Sequence, residues 1–273
     1  MSEQAIGVFD SGLGGLTAVK ELTKVLPGEN IVYFGDTARV PYGNRSSKTI
    51  RRYARQDAEF LLSKGVKLII AACGTVSSVA TELSETLPVP FTGVVKPTAE
   101  AARLSTHNGK IGIIGTSATV SSGSYKKAIL SMDDRLTVFQ QDCPLFVSLV
   151  ENGFIRADDA IVQLVVQRYL APLKEAGIDT LILGCTHFPI IAEAISAYLG
   201  DRVQLIDSGS ETALFAASLL KKHGLLNQSG TIGSCSYYVS DTVDSFRKTA
   251  EIFLGRSVEG EVSHINIEQV AVQ

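Results

Sequence analysis

Two cysteines stand at the ends of apolar runs in similar surroundings. Residues 68–75 read LIIAACGT and residues 181–187 read LILGCTH. A cysteine in an apolar strand is ordinarily a small buried residue. Cys143, in DCPLF, and Cys235, in GSCSYYV, fit that description and are assigned no chemistry. Cys73 and Cys185 differ, because each closes its run and polar residues follow: Gly74 and Thr75 in one case, Thr186 and His187 in the other. A thiol titrates near ~8.5, so tuned by its neighbours it can take or give a proton at neutral pH. Two thiols on one cleft suit acid–base work on both faces of one carbon, such as a weakly acidic carbon beside a carboxylate. A metal site would want further ligands close by, and redox work would want the sulfurs within bonding reach. Each thiol needs a helper. His187 is next to Cys185 in sequence, and Asp10 can serve Cys73 if the first and third strands are neighbours.

The stretch FDSGLGGLT runs from a strand into Asp10, Ser11, Gly12, Gly14 and Gly15, and then into a helix. Glycines let such a turn offer backbone N–H groups to an anion at a helix start. Asp36 ends the next strand, where a ribose-binding acid of a dinucleotide site would sit. The fingerprint fails all the same: its third glycine position is Thr17, and Asp10 would face a pyrophosphate with the wrong charge. A small carboxylate fits the loop better, with Asp10 kept for a proton or an ammonium group. The turn-rich loop VPYGNRSSKT, with Tyr42, reads as a connector or a lid. Glu151 follows an apolar run, as many surface acids do. His107, His223 and His264 lie in polar contexts and read as solvated.

The elements that must position these groups alternate regularly. Short apolar runs (AIGVFD, NIVYFGD, KLIIAAC, PFTGVV, KIGIIGT, TVFQQD, TLILGC, VQLIDS) are separated by amphipathic stretches such as SSKTIRRYARQDAEFLLSKG. This predicts an α/β fold with mostly parallel sheets covered on both faces. An internal echo pairs AIGVFDSGLGG with KIGIIGTSATV and LIIAACGT with LILGCTH, at similar offsets, which suggests two related halves. Sites in such sheets form beyond the carboxyl ends of strands. Asp10, Asp36, Cys73, Thr116, Cys185 and Asp207 all sit there. With 273 residues, 45% of them hydrophobic, one large core or two modest ones can be buried. A net charge of −3 and scattered basic residues give no field for nucleic acid. No secretory leader and no run long enough to span a bilayer is read, so a soluble cytoplasmic protein with four free thiols is expected.

The motifs IGVFDSGLGGLT, GDTARVPYG, AACGTVSS, IGIIGT, CPLFVSLVENG, LGCTHFP and IDSG, in this order, resemble those of bacterial glutamate racemases, in the cofactor-independent aspartate/glutamate racemase family. They span residues 6 to about 209. The resemblance implies two pseudo-symmetric α/β domains with the active site in the cleft between them, the first of residues 1–95 plus 206–273 and the second of residues 96–205. It implies interconversion of L- and D-glutamate, supplying D-glutamate for peptidoglycan, with no cofactor and no metal, and a possible homodimer. By the same resemblance Cys73 takes the proton from D-glutamate and Cys185 from L-glutamate. Asp10 and His187 are their helpers, with Asp36 and Glu151 as weaker candidates. Asp10, Ser11, Tyr42, Gly43, Gly74, Thr75, Thr186 and His187 contact substrate, and Thr116 and Thr119 match a further carboxylate-binding pair. One residue departs from the pattern. The family has Asn-Thr after its first catalytic cysteine, where this chain has Gly74-Thr75. Losing that amide is expected to weaken substrate binding by roughly 0.5–1.5 kcal/mol.

Other readings stay open beside the resemblance. A relative in the same fold can act on aspartate, a hydantoin or a malonate decarboxylated at one cysteine. A protein that only binds an amino acid is a further reading, and Gly74 is its one support. Separate replacement of Cys73 and Cys185 discriminates, because a binding protein loses little from either change.

Overall fold

The alternating runs become ten strands and twelve α-helices among residues 2–270, which the computed structural model describes. In the first half β1 (Ile6–Asp10), α1 (Leu16–Val25), β2 (Ile31–Gly35), α2 (Ser47–Ser63), β3 (Leu68–Ala71), α3 (Gly74–Val79), α4 (Leu83–Thr86), β4 (Phe91–Gly93) and α5 (Val95–Ser105) follow one another. In the second come β5 (Lys110–Gly115), α6 (Ser117–Ser122), α7 (Ser124–Met132), β6 (Thr137–Asp142), α8 (Pro144–Glu151), α9 (Ala160–Ala176), β7 (Thr180–Leu183), α10 (Ala192–Leu199) and β8 (Gln204–Asp207). The chain ends with α11 (Ser208–Lys222), β9 (Cys235–Val239), α12 (Val243–Leu254) and β10 (Val262–His264).

Every strand pairing is parallel. One sheet has the order β10-β9-β2-β1-β3-β4 and the other β6-β5-β7-β8. The sequence echo thus has a structural counterpart. β2-β1-β3-β4 and β6-β5-β7-β8 share one order, with β1 matching β5 and β3 matching β7. Cys73 and Cys185 follow the matched strands β3 and β7. All residues of β1, β3 and β7 are buried, as strands covered on both faces must be, which is why their sequences are continuous apolar runs. Register sets the first pairing of the site: Phe9 lies opposite Ala71, so Asp10 comes level with the residue before Cys73.

Three features differ from expectation. β9 and β10 extend the first sheet beyond β2, although their segments do not read as strands. TVSSVATELSETLP breaks into α3 and α4, since its β-branched residues and serines favour a helix weakly. The expected boundary between residues 205 and 206 falls inside β8, which pairs with β7 along its length, so the second sheet runs to Asp207. Next, α11 packs on α1 of one half and α5 at the junction with the other. Among the described residues no helix is long and apolar enough to cross a membrane.

Candidate active site

The carboxyl ends of β1, β3, β5 and β7 surround one cavity of ≈ 340 Å³, and both Cys73 and Cys185 line it. That volume lies in the range of small-molecule pockets. Ser11 comes from the loop after β1, Tyr42 and Gly43 from the loop after β2, Gly74 and Thr75 from the start of α3. The second half contributes Thr116, Thr186 and His187, and a wall from α8 that includes Leu145, Val147 and Glu151. Asp10 and Thr119 are buried one layer behind the lining. Asp36 does not line the cavity.

Around Cys73 the geometry is spare. Its thiol donates to Ser11 Oγ at 3.5 Å. Burial, and then the charge of Asp10, push the thiol up to about 12. Asp10 itself is held by the glycine loop, with Gly12 N–H donating to its Oδ2 at 2.9 Å. Burial raises its pKa, while the positive His187 ring and the amides of Gly12, Gly15 and Ser11 oppose the rise. The loop is fixed in turn by Tyr33, whose hydroxyl donates to the Gly12 carbonyl at 2.8 Å.

Around Cys185 the groups form a relay. His187 Nδ1 lies 3.8 Å from the Cys185 sulfur, and Nε2 lies 3.0 Å from Glu151 Oε1. A carboxylate only accepts, so Nε2 carries the hydrogen and Nδ1 is turned to the thiol. Burial alone would lower the His187 pKa, but the bonds to Cys185 and Glu151 outweigh it and raise the ring to about 10. Phe253 of α12 packs edge-on against the imidazole, with centroids 5.1 Å apart at 83°. Glu151, expected to be a weak candidate of the surface kind, is the ring's partner. It sits at the C-terminal end of α8, and its side chain is half exposed.

Three threonine hydroxyls bridge the halves. Thr75 Oγ1 and Thr116 Oγ1 are 3.0 Å apart, as are Thr116 and Thr119. Thr116 also caps α6, accepting from Thr119 N–H. The chain offers a carboxylate hydroxyl donors without a charge.

Asp36 belongs to a different construction. Arg39, nearly buried, donates to Asp36 at 2.6 Å, to Asp57 at 3.0 Å and to Gln56 at 2.6 Å, and its guanidinium stacks on Tyr53. The Tyr42 hydroxyl donates its one hydrogen to Asp36, the nearer acid, and lies 3.1 Å from Asp57. Ser240, just after β9, also donates to Asp36, at 2.8 Å. This network holds the loop that carries Tyr42 and Gly43 to the cavity. Asp36 braces that loop and is hydrogen-bonded to neither thiol.

Gly74 has an unexpected neighbour. A Cβ placed on it would fall 2.3 Å from the carbonyl oxygen of Gly184, across the cleft. An asparagine there does not simply add an amide, because its first carbon has no room in this arrangement. All four cysteines are free thiols. Among the described residues no cluster of three or more His, Cys, Asp or Glu side chains is placed to hold a metal.

Comparison with known proteins gives one direction. The profile of the Asp/Glu/hydantoin racemase family matches residues 13–216. The chain is 43% identical over 269 residues to a glutamate racemase of Geobacter metallireducens, covering 98% of each chain. A crystal structure of glutamate racemase from Francisella tularensis in complex with D-glutamate superimposes with a TM-score of 0.91 at 37% identity, over 98% of this chain and 99% of that one. The glutamate racemase of Thermus thermophilus in complex with beta-chloro-D-alanine does so with a TM-score of 0.88 at 45% identity, over 98% of both chains.

Proposed function

The chain belongs to the Asp/Glu/hydantoin racemase family, and from that membership we propose that it is a glutamate racemase, an isomerase that exchanges L- and D-glutamate without a cofactor. One observation carries the mechanism: Cys73 and Cys185, each at the end of a matched strand, line the same cavity from its two halves. The α-carbon of glutamate sits between them. With L-glutamate, the Cys185 thiolate removes the α-proton and the Cys73 thiol delivers one to the opposite face. With D-glutamate the roles exchange.

The surroundings suit these steps. His187 lies against Cys185 and carries a positive charge up to about pH 10, which sets a counter-charge beside the sulfur that takes the proton. Asp10, behind Ser11 and near Cys73, is the group that receives or returns that thiol's proton. With its pKa pushed up to about 12 by burial and Asp10, Cys73 serves as the neutral acid that completes the L-to-D direction. Ser11, Thr75, Thr116 and the backbone at Gly43 and Thr186 are the polar contacts for the two carboxylates, and Tyr42 closes one side. The product D-glutamate fits a role in supplying peptidoglycan synthesis.

The test uses purified protein, L-glutamate and deuterated water. Loss of the α-proton signal together with loss of optical activity, with nothing else added, is the expected result. Cys73→Ser and Cys185→Ser should each abolish racemisation. A protein that binds glutamate but exchanges no proton would overturn the reading.

A further inference from the structure

Each reactive thiol has a glycine beside it, Gly74 after Cys73 and Gly184 before Cys185. The two glycines touch. A Cβ on Gly74 would lie 2.3 Å from the Gly184 carbonyl oxygen and 3.4 Å from its carbon. The obstacle is backbone, so it cannot rotate aside. It cannot retreat freely either, because Gly184 N–H donates to the Ile114 carbonyl at 2.8 Å within the second half. Backbone conformation does not call for a glycine at position 74. The residue opens α3 with an ordinary φ, where alanine would favour the helix more. What glycine allows there is an approach of the two backbones closer than any Cβ permits.

On the other flank of the cleft Gly14 meets the same loop. A Cβ on it would fall 2.0 Å from Thr186 Oγ1 and 2.9 Å from His187 Nδ1. The loop that carries Cys185 is therefore seated on two bare α-carbons of the first half.

We propose that Gly74 is a positioning residue whose bare Cα, resting on the Gly184 carbonyl, sets how closely the strand ends bearing Cys73 and Cys185 approach. The kinetic part of this rests on the racemase reading, whereas the spacing itself does not. A comfortable carbon–oxygen contact is ~3.3 Å, so one added methyl moves the two strand ends apart by about 1 Å. Displacement of that size between reacting groups lowers turnover roughly 100-fold.

Gly74→Ala tests this in the full-length protein. The expected result is a fall in kcat of about 100-fold, with KM changed far less. Iodoacetamide labelling, read by peptide mass spectrometry, should quicken severalfold at both Cys73 and Cys185, while buried Cys143 stays unchanged. Labelling altered at Cys73 alone would mean a local effect on α3 and overturn the proposal, as would kcat within threefold of the parent. The far-UV circular dichroism should also be unchanged; loss of fold would make Gly74 a packing residue and defeat the proposal too. If the parent protein fails to exchange glutamate, the racemase reading falls while the labelling pattern still decides the spacing.

Discussion

Replacing Glu151 with glutamine removes a charge and keeps the shape of the group that holds His187. In the parent, Glu151 Oε1 accepts from His187 Nε2 at 3.0 Å, and the imidazole's other nitrogen faces Cys185. A hydrogen bond between charged groups contributes roughly 1.5–3 kcal/mol. The carboxylate is half exposed, so solvent screening reduces its share to about 1 kcal/mol. That is a little under one pKa unit for the ring, or about fivefold in rate if the same bond steadies the ring against Cys185 in the transition state. His187 should therefore titrate below about 10 in Glu151→Gln, and kcat/KM should drop about fivefold. The two enantiomers have equal free energies, so kcat/KM must fall by the same factor from L- and from D-glutamate. The asymmetry of the relay shows up elsewhere. The isotope effect from α-deuterated L-glutamate, whose proton goes to Cys185, should rise, and that from the D-form should not. Circular dichroism progress curves in both directions and NMR of labelled histidine make the measurements. An unchanged His187 titration, or an isotope effect that grows only with the D-form, would refute the assignment of Glu151 and His187 to Cys185.

Further expectations concern other parts of the site. Arg39→Met strands Asp36 and Asp57 as buried carboxylates without their cation, and should lower stability by about 3–5 kcal/mol in urea titrations; Arg39→Lys should not rescue it, since an ammonium lacks the fork that reaches both acids. Because burial holds Cys73 up to about 12, its alkylation rate in the free protein should still be climbing at pH 10, and a plateau near pH 8 would contradict this. His187 titrates higher folded than unfolded, so its stabilising effect is complete below about 6.5 and is lost as pH rises through about 10; His187→Asn should flatten that slope in unfolding measurements across the window. Thr116→Val breaks the hydroxyl chain from Thr75 to Thr119 and should raise KM for glutamate more than it lowers kcat.

What can be seen in the sequence follows from how local the cause is. Cys73 and Cys185 stand out because a buried strand must be apolar throughout, so the first polar residues after it mark the strand end. Asp10 beside Cys73 needed one further fact, that β1 and β3 are neighbours, and the parallel α/β pattern makes that reasonable. Glu151 stands only as a weaker candidate in the sequence because its contact with His187 depends on where α8 ends relative to β7, and nothing in VENGF encodes that. Asp36 misled for a related reason. It ends a strand like the other site residues, but Arg39 three positions later captures it. Gly74 reads in sequence as a lost amide. Only the packing of two distant backbones shows it as a fitted contact. β9 and β10 do not read as strands because SCSYYV mixes serine with tyrosine, and VSH is three residues long.

The shared strand order of the two sheets bears on inhibitor design. A chiral ligand offers its reacting carbon to one thiol and its substituents to the other side. A planar mimic of the carbanion has no handedness at that carbon, so both sulfurs meet it on equal terms, and such mimics of a transition state bind more tightly than substrate. Selectivity must then come from what the two halves do not share. Ser11 and Asp10 stand near one sulfur, His187 and Glu151 near the other, and the outer wall is the α8 surface at Leu145 and Val147. Chemists extending a flat core toward that wall would be reading the part of the cleft where the pseudo-symmetry ends.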